Sequence, residues 1–158
     1  MAETAQYDVA IIGAGIAGSA LATALSGKGM RIALVEAMPL AGKALPLEIG
    51  LAHFDARVSA ITPRSRELLR DLGAWQAIED YRQLPYRHMT VWDAEGTGQI
   101  EFDCSEVDVS ALGHIVENRA IVSALLERVK ASPDISLYNP ARLAACSGGD
   151  EAPVQLDL

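Results

Sequence analysis

The chain has 158 residues, 50% of them hydrophobic and 22% charged, with 13 Lys and Arg against 21 Asp and Glu for a net charge of −8. A chain of this length can bury roughly 68–70% of its unfolded surface, which suffices for one core but not for two full domains, so a multidomain enzyme would be represented only in part. The apolar fraction excludes disorder, and an acidic chain without a Lys/Arg cluster excludes a nucleic-acid binder, which needs a basic face.

Cys104 and Cys146 are the only cysteines and form no C-x-x-C, which predicts neither a disulfide framework nor a zinc knuckle and fits a reducing cytoplasm. His53, His88 and His114 lie far apart without ligand spacing, so no metal site is expected. Residues 9–25 are nearly all apolar. They follow Glu3 and Asp8 rather than a positive stretch, and Gly13, Gly15 and Gly18 interrupt them, so neither a signal peptide nor a membrane span is read there.

Residues 7–12 (YDVAII) form a short apolar run ending at glycine, the pattern of a parallel strand buried on both faces. Residues 16–26 read as a helix of mainly Ala and Leu, closed by Gly27 and Gly29 where a left-handed cap is wanted. Residues 31–35 (RIALV) are a second buried strand, completing a βαβ unit. Residues 37–56, with Pro39, Gly42, Pro46 and Gly50, read as a long loop. Thr62 then caps a helix that starts at Pro63, carries Leu68, Leu69 and Leu72, and stops at Gly73. Arg64, Arg66 and Arg70 alternate with Glu67 and Asp71 along it and read as a solvated face.

Residues 88–92 and 99–103 flank a turn-rich segment and predict an antiparallel hairpin, a departure from the βαβ pattern that points to an inserted second sheet. Residues 114–117 read as a short strand or turn, Asn118 as an N-cap, and residues 119–130 as a helix with Ile121, Leu125 and Val129 on one face. Residues 135–138 can be a third parallel strand. Residues 142–146 and 154–158 then read as two strands around Ser147, Gly148, Gly149 and Asp150. Trp75 and Trp92 are expected in the core.

The chemistry concentrates at Gly13-Ala14-Gly15-Ile16-Ala17-Gly18, a G-x-G-x-x-G between strand and helix. The first glycine permits the tight turn, the second lets a pyrophosphate approach the backbone, and the third allows helix and strand to touch. The helix N-terminus offers N–H groups and the positive end of its dipole to the phosphates. Glu36 ends the second strand about 20 residues on, where an acid accepts the adenosine ribose hydroxyls and repels a 2′-phosphate. FAD or NAD is thereby favoured over NADP. No P-loop and no G-x-S-x-G is present, and no catalytic residue is assigned.

Three stretches resemble the FAD-dependent aromatic hydroxylases of ubiquinone biosynthesis, a branch of the flavoprotein monooxygenases that includes para-hydroxybenzoate hydroxylase. They are YDVAIIGAGIAGSALATAL with Glu36, FDARVSAITPRSRELLRDLGAW at residues 54–75, and MTVWDAEGTGQIEFD followed by LGHIVENRAIVSALL. The first is common to many flavoproteins; the others are far more specific. The resemblance implies an α/β, Rossmann-like FAD-binding domain with inserted β-hairpin elements of a substrate domain, incomplete relative to the family. It divides the chain into an ADP-binding part at 1–80, a substrate-side hairpin at 81–112 and a return to the FAD-binding domain at 113–158.

By the same resemblance Arg57 lies against the flavin and Asn118 touches its ribityl chain. From the residues alone, a cation after the long loop could neutralise a pyrophosphate, with a salt bridge from Arg57 to Asp55 or Glu48 as the lesser alternative, and Asn118 could as well be a plain helix cap. The implied reaction uses NAD(P)H and O2 to hydroxylate a polyprenylated phenol, in the cytoplasm with peripheral contact at the inner membrane and with other enzymes of the pathway. The chain alone is expected to be inactive, because the family's further cofactor motifs are not in it. Two other readings fit the motif: an NAD- or FAD-binding dehydrogenase domain, and a non-catalytic nucleotide-binding module.

Overall fold

In the computed structural model, residues 4–40, 54–149 and 152–158 are described. They divide into two compact units, one with the described residues up to 40 and from 122 onward, the other with residues 54–121. The single core expected from length is thus replaced by two smaller ones. Most of the loop expected at 37–56, together with His53 and Glu48, lies outside the described residues.

The first unit is built on a parallel sheet in the order β1 (Val9–Ile12), β2 (Ile32–Val35), β8 (Ile135–Tyr138). Helix α1 (Ile16–Leu25) joins β1 to β2, and Gly27 and Gly29 in the following turn take φ of +76° and +77°, as expected where the chain must reverse. Central β2 is buried at all four positions, whereas Ile12 of edge strand β1 is 51% exposed, so the two-sided burial expected of both strands holds only for β2. Ile11, Ile32, Leu34 and Ile135 pack with Ala14 and Ala22, and with Leu126 and Val129 from helix α4 (Asn118–Ala131). Fully burying each branched side chain contributes roughly 1.5–3 kcal/mol. A hairpin of β9 (Ala145–Gly149) and β10 (Ala152–Asp157) completes this unit. Strand β9 runs on through Gly149, beyond the turn expected at Ser147.

The second unit centres on an antiparallel sheet in which β7 (Gly113–Glu117) lies between β3 (Val58–Ile61) and β4 (Leu84–Tyr86). This pairing draws residues 58–61, 84–86 and 113–117 into one unit, a grouping that runs across the boundaries placed at 80 and 112 from the sequence. Helix α2 (Pro63–Asp71) starts as expected, with the Thr62 hydroxyl accepting the Ser65 N–H at 3.2 Å. A second helix, α3 (Trp75–Tyr81), follows. Trp75 is buried edge-on to His114, and Arg66, its side chain still 41% exposed, lies over the ring at the margin of the solvated face expected of α2.

The hairpin of β5 (His88–Trp92) and β6 (Gln99–Asp103) has the expected bounds. Its register pairs Met89 with Phe102 and Val91 with Ile100, which by alternation share one apolar face. Trp92 falls on the other face and is 70% exposed, not in the core.

A buried charge node closes the second unit. Glu117, 4% exposed, pairs with both Arg82 and Arg119 and accepts the Asp55 N–H at 3.1 Å. Arg82 also stacks on Phe54, its guanidinium carbon 3.8 Å from the ring centroid. Burial works to lower the Arg119 pKa, but the hydrogen bond and charge of Glu117 outweigh it and hold Arg119 above its ordinary value.

Candidate functional site

The carboxyl ends of β1, β2 and β8 meet at one edge of the first unit, where ligands of open parallel sheets bind. Beyond β1 the chain turns at Gly13 with φ of +104°, a conformation that favours glycine. A Cβ on Gly18 would fall on the Gly13 carbonyl oxygen, so turn and helix approach only because Gly18 has none. The space before Gly15 is the opposite case, with nothing within 4 Å of a Cβ placed there. Helix α1 begins directly behind it with Gly15 as N-cap, no side-chain cap and no acid in its first turn. Ile16 and Ala17 are thus the first residues of a helix whose first turn carries no acid of its own.

Glu36 follows β2 and ties the edge together. Its carboxylate accepts the Ala14 N–H at 2.9 Å and the Met38 N–H at 2.8 Å, which locks the glycine turn to the end of β2. It also lines a cavity of about 300 Å³ together with Ile12, Gly13, Val35, Ala37, Ala141, Arg142 and Leu143. Two acids at the other end of the sheet do plainer work: Asp8 accepts the Arg31 N–H and Asp134 the Gly27 N–H, each at 2.7 Å. Those contacts fix turns.

The structure therefore brings together Gly13, Ala14, Gly15, Ile16, Ala17, Gly18 and Glu36. Arg57 and Asn118 belong to the second unit. There the Asn118 N–H donates to the Arg57 carbonyl at 2.9 Å, and the Asp55 carboxylate accepts the Arg57 N–H at 3.0 Å. The Arg57 guanidinium makes no ion pair among the described residues. Asn118 is the first residue of α4, and its side-chain oxygen accepts the Ser59 hydroxyl at 2.6 Å, which links the helix to β3.

The sequence reading missed Asn139, at the end of β8. Its amide group donates to the carbonyls of Glu36 at 2.9 Å and Met38 at 2.7 Å, while its oxygen accepts the Leu40 N–H at 2.9 Å. The Ala141 N–H adds a bond to the Glu36 carbonyl, also at 2.9 Å. Its position just after a third parallel strand was the available signal, since that edge is where such sheets bind ligands.

Residues 8–143 match the model of the family described as FAD dependent oxidoreductase. The chain belongs to this family. It is 33% identical to the 3-demethoxyubiquinol 3-hydroxylase of Escherichia coli K12 over 147 residues, covering 91% of this chain and 35% of that protein. It is 38% identical to the mitochondrial ubiquinone biosynthesis monooxygenase COQ6 of Xenopus tropicalis over 134 residues, covering 82% of this chain and 28% of that one. The chain thus spans about a third of the length of these relatives. Its fold is like that of the flavin-dependent monooxygenase PieE, solved with FAD and substrate, with a TM-score of 0.69 at 20% identity over 98% of this chain and 27% of that one.

The residues fit the group this family uses. The open space before Gly15 and the uncapped start of α1 suit a pyrophosphate, and the Glu36 cavity suits a nucleoside. Among the described residues no cluster of metal-binding side chains occurs.

Proposed function

We propose that this chain is the FAD-holding part of a flavoprotein monooxygenase that hydroxylates a polyprenylated phenol in ubiquinone biosynthesis, with NAD(P)H and O2 as co-substrates. The observation that carries the FAD side is the glycine turn bonded through Ala14 to Glu36, with open space before Gly15. The substrate side is supported by the identity to the two ubiquinone-pathway hydroxylases.

In this role the α1 N-terminus holds the pyrophosphate and Glu36 the adenosine ribose. Arg57 and Asn118 contact the cofactor as the family resemblance implies. Bound FAD would supply the oxygen-activating chemistry, reduced by NAD(P)H before an oxygen atom passes to the ring. The chain spans about a third of the relatives' length, and alone the 158 residues should hold FAD weakly and consume no O2 with NADH. A polyprenylated substrate would bring the protein to the cytoplasmic face of the inner membrane, beside other enzymes of its pathway. No helix among the described residues is long and apolar enough to cross it.

Titrating the chain with FAD, followed by quenching of flavin fluorescence, tests the first half. Gly15→Val should weaken binding at least about tenfold by filling the approach to the backbone; tighter binding of NAD than of FAD would overturn it. The second half is tested in cells. Disrupting the gene should stop ubiquinone synthesis and accumulate an under-hydroxylated phenolic precursor, whereas an unchanged ubiquinone content would sink the assignment.

A further inference from the structure

We propose that Arg142 is the adenine-contacting residue of this site and that Asn139 is the positioning residue that places it. The inference rests on the FAD-holding role above and names what the adenosine end of the cofactor meets.

Arg142 lines the same cavity as Glu36 and is the only cation among the described residues there. Its side chain is exposed and makes no ion pair among the described residues, so no structural role uses it up. Its place is nonetheless fixed. The Asn139 side chain spends three hydrogen bonds on the backbone of residues 36, 38 and 40, and the Ala141 N–H, one residue before Arg142, is bonded to the Glu36 carbonyl. The segment carrying Arg142 is therefore tied to the segment carrying Glu36.

The chemistry of the wall selects the ligand. Ile12, Val35 and Leu143 offer apolar surface, Glu36 offers acceptors for a diol, and Arg142 offers a planar cation. A nucleoside has the matching parts: a flat π-ring for a guanidinium to stack on and a ribose for the carboxylate. A phosphate is the other usual partner of arginine. Here the anion seat is already supplied by the start of α1, and Glu36 in the same cavity repels a second phosphate, so the ring is favoured.

The test is calorimetric titration of the 158-residue chain with ADP, 2′,5′-ADP and inorganic pyrophosphate, with circular dichroism checking that each variant keeps its fold. Arg142→Ala should weaken ADP binding on the order of tenfold, within the range of a desolvated cation–π contact, and leave pyrophosphate binding unchanged. Arg142→Lys keeps the charge without the plane and should recover only part of the loss. Asn139→Ala should weaken ADP similarly, with no further loss when combined with Arg142→Ala. Full affinity in Arg142→Ala alongside weakened binding in Glu36→Gln would overturn this proposal and leave the FAD site standing. Complete rescue by lysine, or an Arg142-dependent preference for 2′,5′-ADP, would show that charge rather than stacking operates and would equally overturn it. No ADP binding by the unaltered chain would remove the FAD-holding role and this inference with it.

Discussion

The two units solve the problem of burying a small core in different ways. In the first, Ser19 is the only polar residue among the described residues that are buried, and acids at both ends of the parallel sheet sit on backbone N–H groups. In the second, a charged carboxylate is buried between two arginines while the apolar face of a hairpin stays exposed. A neutral core with charge confined to strand ends leaves one end open for a ligand. A core pinned by ion pairs is rigid only while every partner is present.

The largest break in this comparison should come from Glu117→Ala. It leaves Arg82 and Arg119 without their carboxylate and should cost about 3–5 kcal/mol, read as a lower denaturation midpoint in urea. A loss below about 1 kcal/mol would mean that the node does not hold the second unit together.

A smaller, pH-dependent effect should come from His114. Burial, and then the charge of Arg66, hold its pKa below the ordinary 6.5, with Glu79 opposing. Between that lowered value and 6.5 the unfolded chain binds a proton that the folded one refuses. The contribution to stability is therefore complete above about pH 6.5 and shrinks as pH falls toward the folded value. Thermal melts from pH 7.5 down to pH 5 should show a decline that flattens in His114→Gln; identical slopes would remove His114 as the cause.

The smallest effect belongs to Trp92→Ser. The side chain is 70% exposed, so its loss should change stability by no more than about 0.5 kcal/mol, against several for a core tryptophan. A large loss in a chemical melt would place Trp92 in a core after all.

The βαβ unit was legible because each of its signals is local: apolar runs at β1 and β2, glycines at the turn, and an acid at the strand end. The β5–β6 hairpin was legible by the alternation of Met89, Val91, Ile100 and Phe102. Strand β3 was not, since VSAI has little pattern of its own and is specified by pairing with β7, far along the chain. Helix α3 escaped because its seven residues follow the Gly73 stop almost at once. Trp92 misled because composition favours buried tryptophan, while only the hairpin register shows which face it takes. Asn139 and Arg142 matter because β8 returns beside β2, a long-range fact with no local motif.

Under the proposed function, the open end of the first unit, and not the exposed hairpin of the second, is where the cofactor is held. Hydrogen exchange with and without FAD, resolved by peptide, tests it most directly. Added FAD should slow exchange in peptides covering residues 13–19, 36–40 and 139–143 and leave residues 88–103 unchanged. Protection confined to residues 88–103, or none at the glycine turn under conditions where FAD is bound, would contradict it.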